Sequence, residues 1–457
     1  MAALDPRIKS EDMCGHPGHE VKTLFLLDGR VKPGHDKEHN RHRCPGRSYS
    51  SVSRTARGRM AQRKRIFMIA GEHSGDVLGG KLIEALKETA GGEAIAFGGV
   101  GGEHMAAAGL SSIFPLSDVA VMGPAAILAR LPSLVRRVYQ AVDAALAFNP
   151  DAVVIIDSPE FTHPIAKRIR QRRPQVPIID YVSPSVWAWR PGRARKMRPY
   201  VDHLLALLPF EPAAHARLGG PACTYVGHPL IERAPWIDAL DTEGLRARLG
   251  VAPGLPVLAV LPGSRPSEVS RLMGPFGETV RALREKAGPF EIVIPAVASV
   301  RGLIEAALPA WPQQPHLVEG EADKFTAFKL ARAALAASGT VTLELGGAGT
   351  PMAVAYRVDP FAARLRFLLK VHSVVLANLV LGANAFPEFI QEDCTPAKLS
   401  AALAPLLSDT PERAAQVAAL AKIREKMFLA QGTPSGKAAE IVLSMLGRNA
   451  ARARAAA

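Results

Sequence analysis

Short apolar runs rich in β-branched residues alternate with Ala- and Leu-rich segments of helical periodicity from about residue 65 onward. In the first half the apolar runs are RIFMIA, AIAFGG, DAVVIID, PIIDYV and HLLALL. Helical patterns lie between them, at about 78–89, 132–147 and 162–172. This alternation predicts βαβ units, and therefore a parallel sheet that carries helices on both faces.

The same alternation returns in the second half, in PVLAVLPG, FEIVIPAV, HLVEG, AALAASG and PMAVAYR, with helices predicted at about 267–287 and 299–308. Between the halves, CTYVGHPLIERAP contains Gly227 and Pro229 and is typical of a hinge. We predict an α/β protein with two doubly wound, Rossmann-like domains, residues 64–225 and 226–400, that face one cleft. For residues 401–457 we expect helices that pack across the domain junction and a frayed end.

Residues 1–63 differ in composition from the rest of the chain. Of the formal net charge of +14, residues 1–65 supply +8, from 15 Lys and Arg against 7 Asp and Glu. The segment has no sustained periodicity, which predicts a disordered basic tail. Because Met60 precedes AQRKRIFMIAGE, which reads like a natural start, an upstream start codon is one explanation of residues 1–59. The alternative is a metal clip, although its spacing fits no zinc pattern, formed by Cys14, His16, His19, His39, His42 and Cys44.

Cysteine usage and hydropathy limit the compartment. The four cysteines are widely spaced and form no CxxC pair, which argues against a disulfide framework and fits a reducing cytosol. We find no secretory signal, and no uncharged stretch of the roughly 18 residues that a spanning helix needs. These features predict a protein that is soluble or lies on a membrane without crossing it.

Two strand-end loops of the first half carry candidate chemistry. AGEHSGDVLGG, residues 70–80, places Gly71 and Ser74 between a strand and a helix N-terminus, where a ligand loop and a packing turn are equally compatible with the sequence. The loop lacks GxGxxG and a Walker lysine, which argues against a dinucleotide or P-loop site. Asp157, in VVIIDSPEF, ends a strand and is a candidate general base; a helix N-cap is the equal alternative.

Two loops of the second half suit a diphosphate. LPGSRPSEV offers Arg265, whose forked cation fits a phosphate, with a surface arginine as the alternative. In AASGTVTLELGGAGT, Ser338, Gly339 and Thr340 lie at a helix N-terminus, a good cradle for a pyrophosphate. Glu344 lies one turn further along and can bind a ribose diol; since an unpartnered buried glutamate is costly, a polar ligand is favoured. Because no DxD-type carboxylate pair accompanies these loops, we predict no metal in this site.

Two of the four tryptophans lie in SPSVWAWRPGR, which follows a predicted strand. Trp187 and Trp189 would face the same way if this segment is extended. Arg190 and further cations follow the rings. Either the indoles pin a long loop onto the core, or they also form a rim for a substrate with apolar and anionic parts.

Seven motifs in this order resemble the lipid-A-disaccharide synthases of Gram-negative bacteria, over about residues 65–440: AGEHSGD, IDSPEF, YVSPSVWAWRPGR, YVGHPL, LPGSRPSEV, ASGTVTLE with GTPMAVAYR, and NLVLGANAFPEFIQ. The resemblance implies a GT-B type glycosyltransferase without a cofactor, with an acceptor-side first domain and a UDP-sugar-binding second domain. It implies transfer from UDP-2,3-diacylglucosamine to the 6-hydroxyl of lipid X, with inversion and release of UDP.

The resemblance also assigns site residues. Asp157 matches the aspartate proposed as general base, and Arg265, Ser338, Thr340 and Glu344 fall in the half that holds UDP. A further family motif near the donor, ANLVLG, contains Asn378. The chain departs from the family pattern at His73, where a small residue is common, and in GGAG after Glu344, where a more apolar run is common. Both departures can alter a pocket wall.

The implied substrates are diacylated, so they need an apolar surface beside cations. The tryptophan loop offers one, and residues 360–382 offer another, where Arg364, Arg366 and Lys370 interleave with Leu and Phe. This mixture predicts a patch on an anionic membrane or a buried amphipathic helix. We therefore expect a cytoplasmic enzyme, peripheral on the inner membrane, with two lipid substrates and no nucleic-acid partner; the oligomeric state stays open, with a homodimer among the alternatives.

The sequence leaves two rival functions open. A UDP-sugar epimerase would share the two-domain fold and the UDP site, and would act on soluble UDP-N-acetylglucosamine alone. A basic RNA-binding or membrane scaffold protein is suggested by the net charge. The charge lies mostly in the first 65 residues, and the chain contains no aromatic and basic RNA module.

A chain that starts at Met60 is expected to fold and to keep full turnover, because residues 1–59 show neither a core pattern nor a convincing ligand set. Steady-state turnover and circular dichroism of the full and shortened chains check this. A folded but inactive shortened chain would contradict it.

Overall fold

The computed structural model describes residues 63–91, 94–120, 124–358 and 371–455. Its first sheet has seven parallel strands, in the order β3-β2-β1-β4-β5-β6-β7. The strands are β1 (Lys64–Ala70), β2 (Ile95–Val100), β3 (Ser111–Ser112), β4 (Ala152–Ile156), β5 (Ile178–Tyr181), β6 (His203–Ala206) and β7 (Ala222–Tyr225). Because β1 pairs with both β2 and β4, the chain winds outward in both directions from this central strand.

The second sheet has six parallel strands, in the order β10-β9-β8-β11-β12-β13. The strands are β8 (Val257–Leu261), β9 (Glu291–Pro295), β10 (His316–Val318), β11 (Ala333–Ala337), β12 (Met352–Tyr356) and β13 (Glu388–Ile390). Here β8 is the central strand, paired with β9 and β11. Both sheets are therefore doubly wound, as the sequence predicts.

Helices follow the strands on both faces. In the first half they are α1 (His73–Thr89), α2 (Glu103–Ala107), α3 (Pro124–Phe148), α4 (Pro159–Arg172), α5 (Gly192–Met197) and α6 (Glu211–Leu218). Three short helices lead to the second half: α7 (Pro229–Glu232), α8 (Ala234–Asp238) and α9 (Thr242–Arg248).

The remaining helices belong to the second half and the C-terminus. They are α10 (Pro266–Ala287), α11 (Ala298–Ala307), α12 (Glu321–Leu330), α13 (Val341–Ala348), α14 (Leu376–Leu381), α15 (Pro396–Leu403), α16 (Pro411–Met427) and α17 (Pro434–Ala455). Among the described residues, no helix combines the length and the apolar character that crossing a membrane would require.

Alternate residues of each central strand enter cores on opposite faces of the sheet. In β1, Ile66 and Met68 belong to a cluster with residues of α1 and α17, whereas Phe67 and Ile69 belong to one with residues of α3 and α4. This is why the run IFMI is apolar at every position instead of at every second one. Packing on both faces holds the strand in place, so the loops at its ends begin from fixed positions.

The C-terminal helices connect the two halves. α16 packs against α13 and α14 of the second half, and α17 packs against α1 of the first. A polar junction accompanies this crossing: Glu232 Oε2 accepts from Lys81 Nζ at 2.7 Å, and Glu232 Oε1 accepts from the Ser435 amide at 2.8 Å. Nearby, Gly227 has a φ of +94°, and a Cβ there would come within 2.7 Å of Leu429. The turn between the halves therefore requires glycine.

Some elements differ from the sequence prediction. Residues 223–225 (CTY), predicted as part of a hinge, belong to β7 and pair with β6, and the hinge residues follow them. The two-residue strand β3, the helix α2 and the strand β13 were not predicted, because they are too short for hydrophobic periodicity to indicate them. The five helices predicted from periodicity are present, and α1 and α3 begin about a turn or more earlier than predicted.

Candidate active site

A pocket of about 550 Å³ lies at the carboxyl edge of the second sheet. The loops after β8, β9 and β11 and the helices α12 and α13 form its walls. The sequence-predicted residues that line it are Arg265, Ser338, Gly339, Thr340 and Glu344. The pocket also includes side chains that sequence reasoning did not single out: Glu268, Val297, Lys324, Phe328, Val374 and Leu376.

Arg265 lies at the N-cap position of α10, and 58% of its side chain is exposed. Its guanidinium donates to Glu268 Oε1 at 2.9 Å. Gly263 in the same loop has a φ of +112°, and a Cβ there would lie 2.6 Å from the Glu268 Cβ. The glycine thus lets the loop close over the glutamate that steadies Arg265, while the exposed cation faces the pocket.

The second strand-end loop leads into α13, with Thr340 as its N-cap residue. Gly339 has a φ of +151°, and a Cβ at this position would meet no atom within 4 Å. Ser338 does not point freely into the pocket, since its Oγ donates to the Val374 carbonyl at 2.8 Å. The start of α13 therefore borders open space, as an anion site at a helix N-terminus requires.

Glu344 has a partner that the sequence did not indicate. Lys324 Nζ donates to both carboxylate oxygens, at 3.0 and 3.1 Å, and 27% of each side chain is exposed. The argument that an unpartnered buried glutamate implies a polar ligand is therefore wrong for Glu344. The pair places one anion and one cation side by side in the pocket wall.

Asn378 lies below the pocket and does not line it. Its side chain is fully buried, donates to the Phe386 carbonyl at 2.9 Å and accepts from the Phe386 amide at 3.0 Å. It also donates to Ser373 Oγ at 3.3 Å. These bonds hold the loop of Val374 and Leu376 against the pocket, so the predicted direct contact of Asn378 with a substrate is corrected to a supporting position.

Asp157 follows β4 at the carboxyl edge of the first sheet and is half-buried. Asp157 and Ser158 both have left-handed backbone, with φ of +54° and +44°. The Asp157 carboxylate accepts from the Ser158 amide at 2.7 Å and from Ser74 Oγ at 3.2 Å. The N-cap residue of α4 is Ser158, and no side chain caps this helix. The capping alternative for Asp157 is therefore wrong.

Two neighbours of Asp157 come from the loop after β1. Ser158 Oγ donates to Glu72 Oε1 at 2.9 Å. Gly71 lies so close that a Cβ would come 2.4 Å from the Ser158 Cβ. Gly71 thus lets the two strand-end loops meet, whereas Ser74 contacts the carboxylate itself.

The two tryptophans do not lie on the same side of the chain. Residues 185–189 form a turn in which the Ala188 and Trp189 amides both donate to the Ser185 carbonyl. Trp187 is partly buried and donates to Glu211 Oε1 at 3.1 Å, whereas Trp189 is 42% exposed. The expectation from an extended segment is wrong because these bonds close a turn.

Glu211 anchors the tryptophan loop. The carboxylate is buried, and burial raises its pKa to about 7, although the Leu208 amide and the Trp187 indole donate to it. Trp187 and Phe210 pack against the cluster that contains Leu208 of the first half and Leu261 of the second. This shared cluster joins the carboxyl ends of the two sheets.

Arg190 lies beside the exposed indole. It has a φ of +52°, and its guanidinium lies 4.1 Å from the Trp189 ring centroid. Arg193 pairs with Glu160 of α4 at 2.7 Å. The loop thus presents an aromatic surface with a cation over it. The predicted membrane cations Arg364, Arg366 and Lys370 lie outside the described residues.

The chain is similar to known proteins over most of its length. The family model described as lipid-A-disaccharide synthetase matches residues 66–442. The lipid-A-disaccharide synthase of Rhodopseudomonas palustris strain HaA2 is 50% identical over 387 residues, which cover 84% of this chain and 97% of that protein.

Solved structures show the fold. The UDP-GlcNAc 2-epimerase from Neisseria meningitidis, bound to UDP-GlcNAc, has a TM-score of 0.54 at 13% identity and covers 84% of this chain and 100% of its own. The α,α-trehalose 6-phosphate synthase from Burkholderia multivorans has a TM-score of 0.54 at 14% identity, over 86% of this chain and 98% of its own. These likenesses confirm the GT-B type α/β fold. Because the family model spans both sheets and half of the aligned residues are identical to those of a synthase, the chain belongs to the lipid-A-disaccharide synthetase family.

Proposed function

We propose that this protein transfers the diacylglucosamine of UDP-2,3-diacylglucosamine to the 6-hydroxyl of lipid X, and that it releases UDP and lipid A disaccharide 1-phosphate. The observation that carries this proposal is the division of chemistry between the two sheets. A pocket with two cations and a helix N-terminus belongs to the second sheet, and a held carboxylate belongs to the first.

The UDP diphosphate is the ligand that best fits the pocket of the second sheet. Arg265 supplies an exposed forked cation, and the start of α13 supplies backbone amides and the positive end of a helix dipole. Lys324 adds a second cation, held by Glu344. These groups stabilise the negative charge that develops on UDP as the glycosidic bond of the donor breaks.

The nucleoside fits beside the diphosphate. Glu344 is a carboxylate that can accept from the ribose hydroxyls, and its bonds to Lys324 fix its position. A neighbouring cavity of about 350 Å³ shares Pro295, Val297 and Lys324 with the pocket. The apolar edges of Pro295 and Val297 suit a uracil ring, and backbone groups of the same loop can recognise its polar edge.

Asp157 is the group best suited to activate the acceptor. Its carboxylate takes the proton of the lipid X 6-hydroxyl while the hydroxyl oxygen forms a bond to the anomeric carbon of the donor, and the electron pair of the old bond leaves with UDP. Attack from the face opposite to UDP inverts the anomeric configuration. The bonds from Ser74 and the Ser158 amide hold the carboxylate in one orientation, which general base catalysis requires.

The lipid substrates also require a membrane surface, and α3 supports one. Leu131, Val135 and Tyr139 recur every four residues along it and are 47%, 46% and 45% exposed. Exposed cations lie on α3 and on the neighbouring α4: Arg130, Arg136, Lys167 and Arg172. An apolar stripe between cations suits the interface of an anionic bilayer. We propose that this face rests on the cytoplasmic side of the inner membrane, where it receives both lipids.

Asp157→Asn should lower turnover about 10²- to 10⁴-fold, because asparagine keeps the shape but cannot take the proton. UDP binding and thermal stability should stay near wild type. Turnover of the two lipid precursors, followed by UDP release, measures this. Asp143→Asn, an exposed aspartate on α3, is the matched control and should keep full turnover. Turnover of Asp157→Asn within about threefold of wild type would move the base elsewhere, with Glu72 the next candidate.

Arg265→Ala should weaken UDP binding by about 1.5 to 3 kcal/mol, the usual contribution of a charge-assisted bond to phosphate. Isothermal titration with UDP measures this. Arg281→Ala removes an exposed arginine from the same helix and should leave the affinity unchanged. Equal UDP affinities of Arg265→Ala and wild type would contradict the diphosphate assignment.

Replacing Leu131, Val135 and Tyr139 together by Ser should weaken binding to anionic vesicles about tenfold or more, because each side chain loses apolar burial of the order of 1 kcal/mol. UDP affinity should not change. Vesicle flotation compares this variant with one in which exposed Val417 and Phe428 become Ser. If both variants bind vesicles as the wild type does, α3 is not the membrane face.

A further inference from the structure

Within the described part of the chain, one group of three potential metal ligands stands out: His73, Asp76 and His104. Each offers one ligand atom, and these atoms all lie within 4.8 Å of one another. His73 begins α1 after β1, and His104 lies in α2 after β2, so the pairing of β1 with β2 brings them to the same edge of the sheet. Neither histidine has a part in the proposed transfer reaction.

Asp76 fixes His104 from behind. The Asp76 side chain is buried, and its Oδ1 accepts from the amides of Gly102 at 2.7 Å and Met105 at 3.0 Å. Its Oδ2 accepts from the His104 amide at 3.0 Å and lies 3.2 Å from His104 Nδ1. Four partners occupy this carboxylate, so it orients the imidazole and does not itself bind a cation. With the proton on Nδ1, Nε2 of His104 is left with a lone pair.

A carboxylate behind an imidazole is the arrangement that commonly supports a metal-bound histidine. The second imidazole is close: the ring centroids of His73 and His104 lie 5.3 Å apart, with the rings inclined by 67°. Asp76 holds the His104 ring, and the exposed His73 ring can turn until one of its nitrogens reaches a cation bound at His104 Nε2. Water completes the coordination.

The charge around the pair favours a cation over an anion. Asp76 lies behind His104. Glu72 and Asp157 lie at the same edge of the sheet, where Glu72 accepts from Ser158 Oγ and Asp157 accepts from Ser74 Oγ. Three carboxylates at this edge of the sheet attract positive charge. Imidazole nitrogens suit Zn²⁺, Ni²⁺ and Cu²⁺, whereas Mg²⁺ and Ca²⁺ prefer oxygen ligands.

We infer that His73 and His104, oriented by Asp76, bind a divalent cation of the Zn²⁺, Ni²⁺ and Cu²⁺ class at the carboxyl edge of the first sheet. The bound cation inhibits transfer. Ser74, which donates to Asp157, directly follows His73, and positive charge bound at this edge of the sheet opposes protonation of the base. Metal binding is independent of the reaction catalysed, whereas the inhibition rests on the proposed role of Asp157.

Equilibrium dialysis of the full-length protein against Zn²⁺ tests the site directly. The double variant His73→Gln with His104→Gln should bind about one Zn²⁺ fewer per chain than the wild type. Each single variant should lose about tenfold or more in affinity, the loss that removal of even an outer-shell partner causes at known sites. Cysteines and histidines of residues 1–59 can also bind Zn²⁺, but they are present in every chain and cancel in the comparison.

His316→Gln is the matched control, because His316 Nε2 also lies near a carboxylate, 3.3 Å from Glu291, but belongs to no such group of three among the described residues. It should bind as much Zn²⁺ as the wild type, and excess Mg²⁺ should not compete. Equal Zn²⁺ stoichiometry and affinity in the wild type and the double variant would overturn the site.

A turnover assay with added Zn²⁺ separates the two parts of the inference. Zn²⁺ should inhibit the wild type and the His316→Gln control, and should leave the double variant near its metal-free rate. Loss of one Zn²⁺ in the double variant without any inhibition of the wild type would overturn the coupling to Asp157. A protein that is inactive on both lipids would refute the proposed function, while dialysis would still decide the metal site.

Discussion

Parallel pairing of the strands is the constraint on which the rest of this protein depends. In each described sheet every strand points the same way, so every loop from a strand to the next helix leaves at the same edge. Arg265 follows β8, Ser338 follows β11 and Asp157 follows β4, although long stretches of chain separate them. The apolar runs that bury each strand on both faces therefore also gather the polar side chains of each sheet at one edge of that sheet.

Close packing at the edge of the first sheet determines how Asp157 is presented. Gly71 packs so closely against Ser158 that a Cβ on residue 71 would not fit. Because glycine has no Cβ, the two loops can approach while Asp157 and Ser158 adopt left-handed backbone. Such backbone is unfavourable for residues other than glycine and is retained where the surroundings enforce it. Here the Ser74 hydroxyl, the Ser158 amide and the Glu72 carboxylate surround the turn with hydrogen bonds. Two of the six described non-glycine residues with positive φ therefore lie at the group to which we assign the proton transfer.

Sequence reasoning identified the features that depend on strand ends and failed for those that depend on distant pairs. The positions of Arg265, Thr340 and Glu344 in the pocket could be predicted because each follows a recognisable strand and lies at or near the start of a helix. Lys324 could not, since its partner is twenty residues away on another helix and no local pattern indicates it. The placement of Trp187 and Trp189 failed because backbone bonds to Ser185 close a turn that alternation alone cannot reveal. The sequence predicts that Asn378 binds a ligand because it lies in a family motif. A motif indicates that a residue is needed, but it does not indicate what the side chain contacts.

In one inverting transfer between two lipids, the second sheet holds the donor diphosphate and the first sheet supplies the carboxylate to which we assign the proton transfer. The most direct measurement is incubation of the purified full-length protein with UDP-2,3-diacylglucosamine and lipid X, with UDP quantified and the product linkage determined by nuclear magnetic resonance. The account predicts equal amounts of UDP and of a β-1',6-linked disaccharide 1-phosphate, and no UDP release when lipid X is left out. Release of UDP without lipid X, an α linkage, or turnover of UDP-N-acetylglucosamine alone would contradict it.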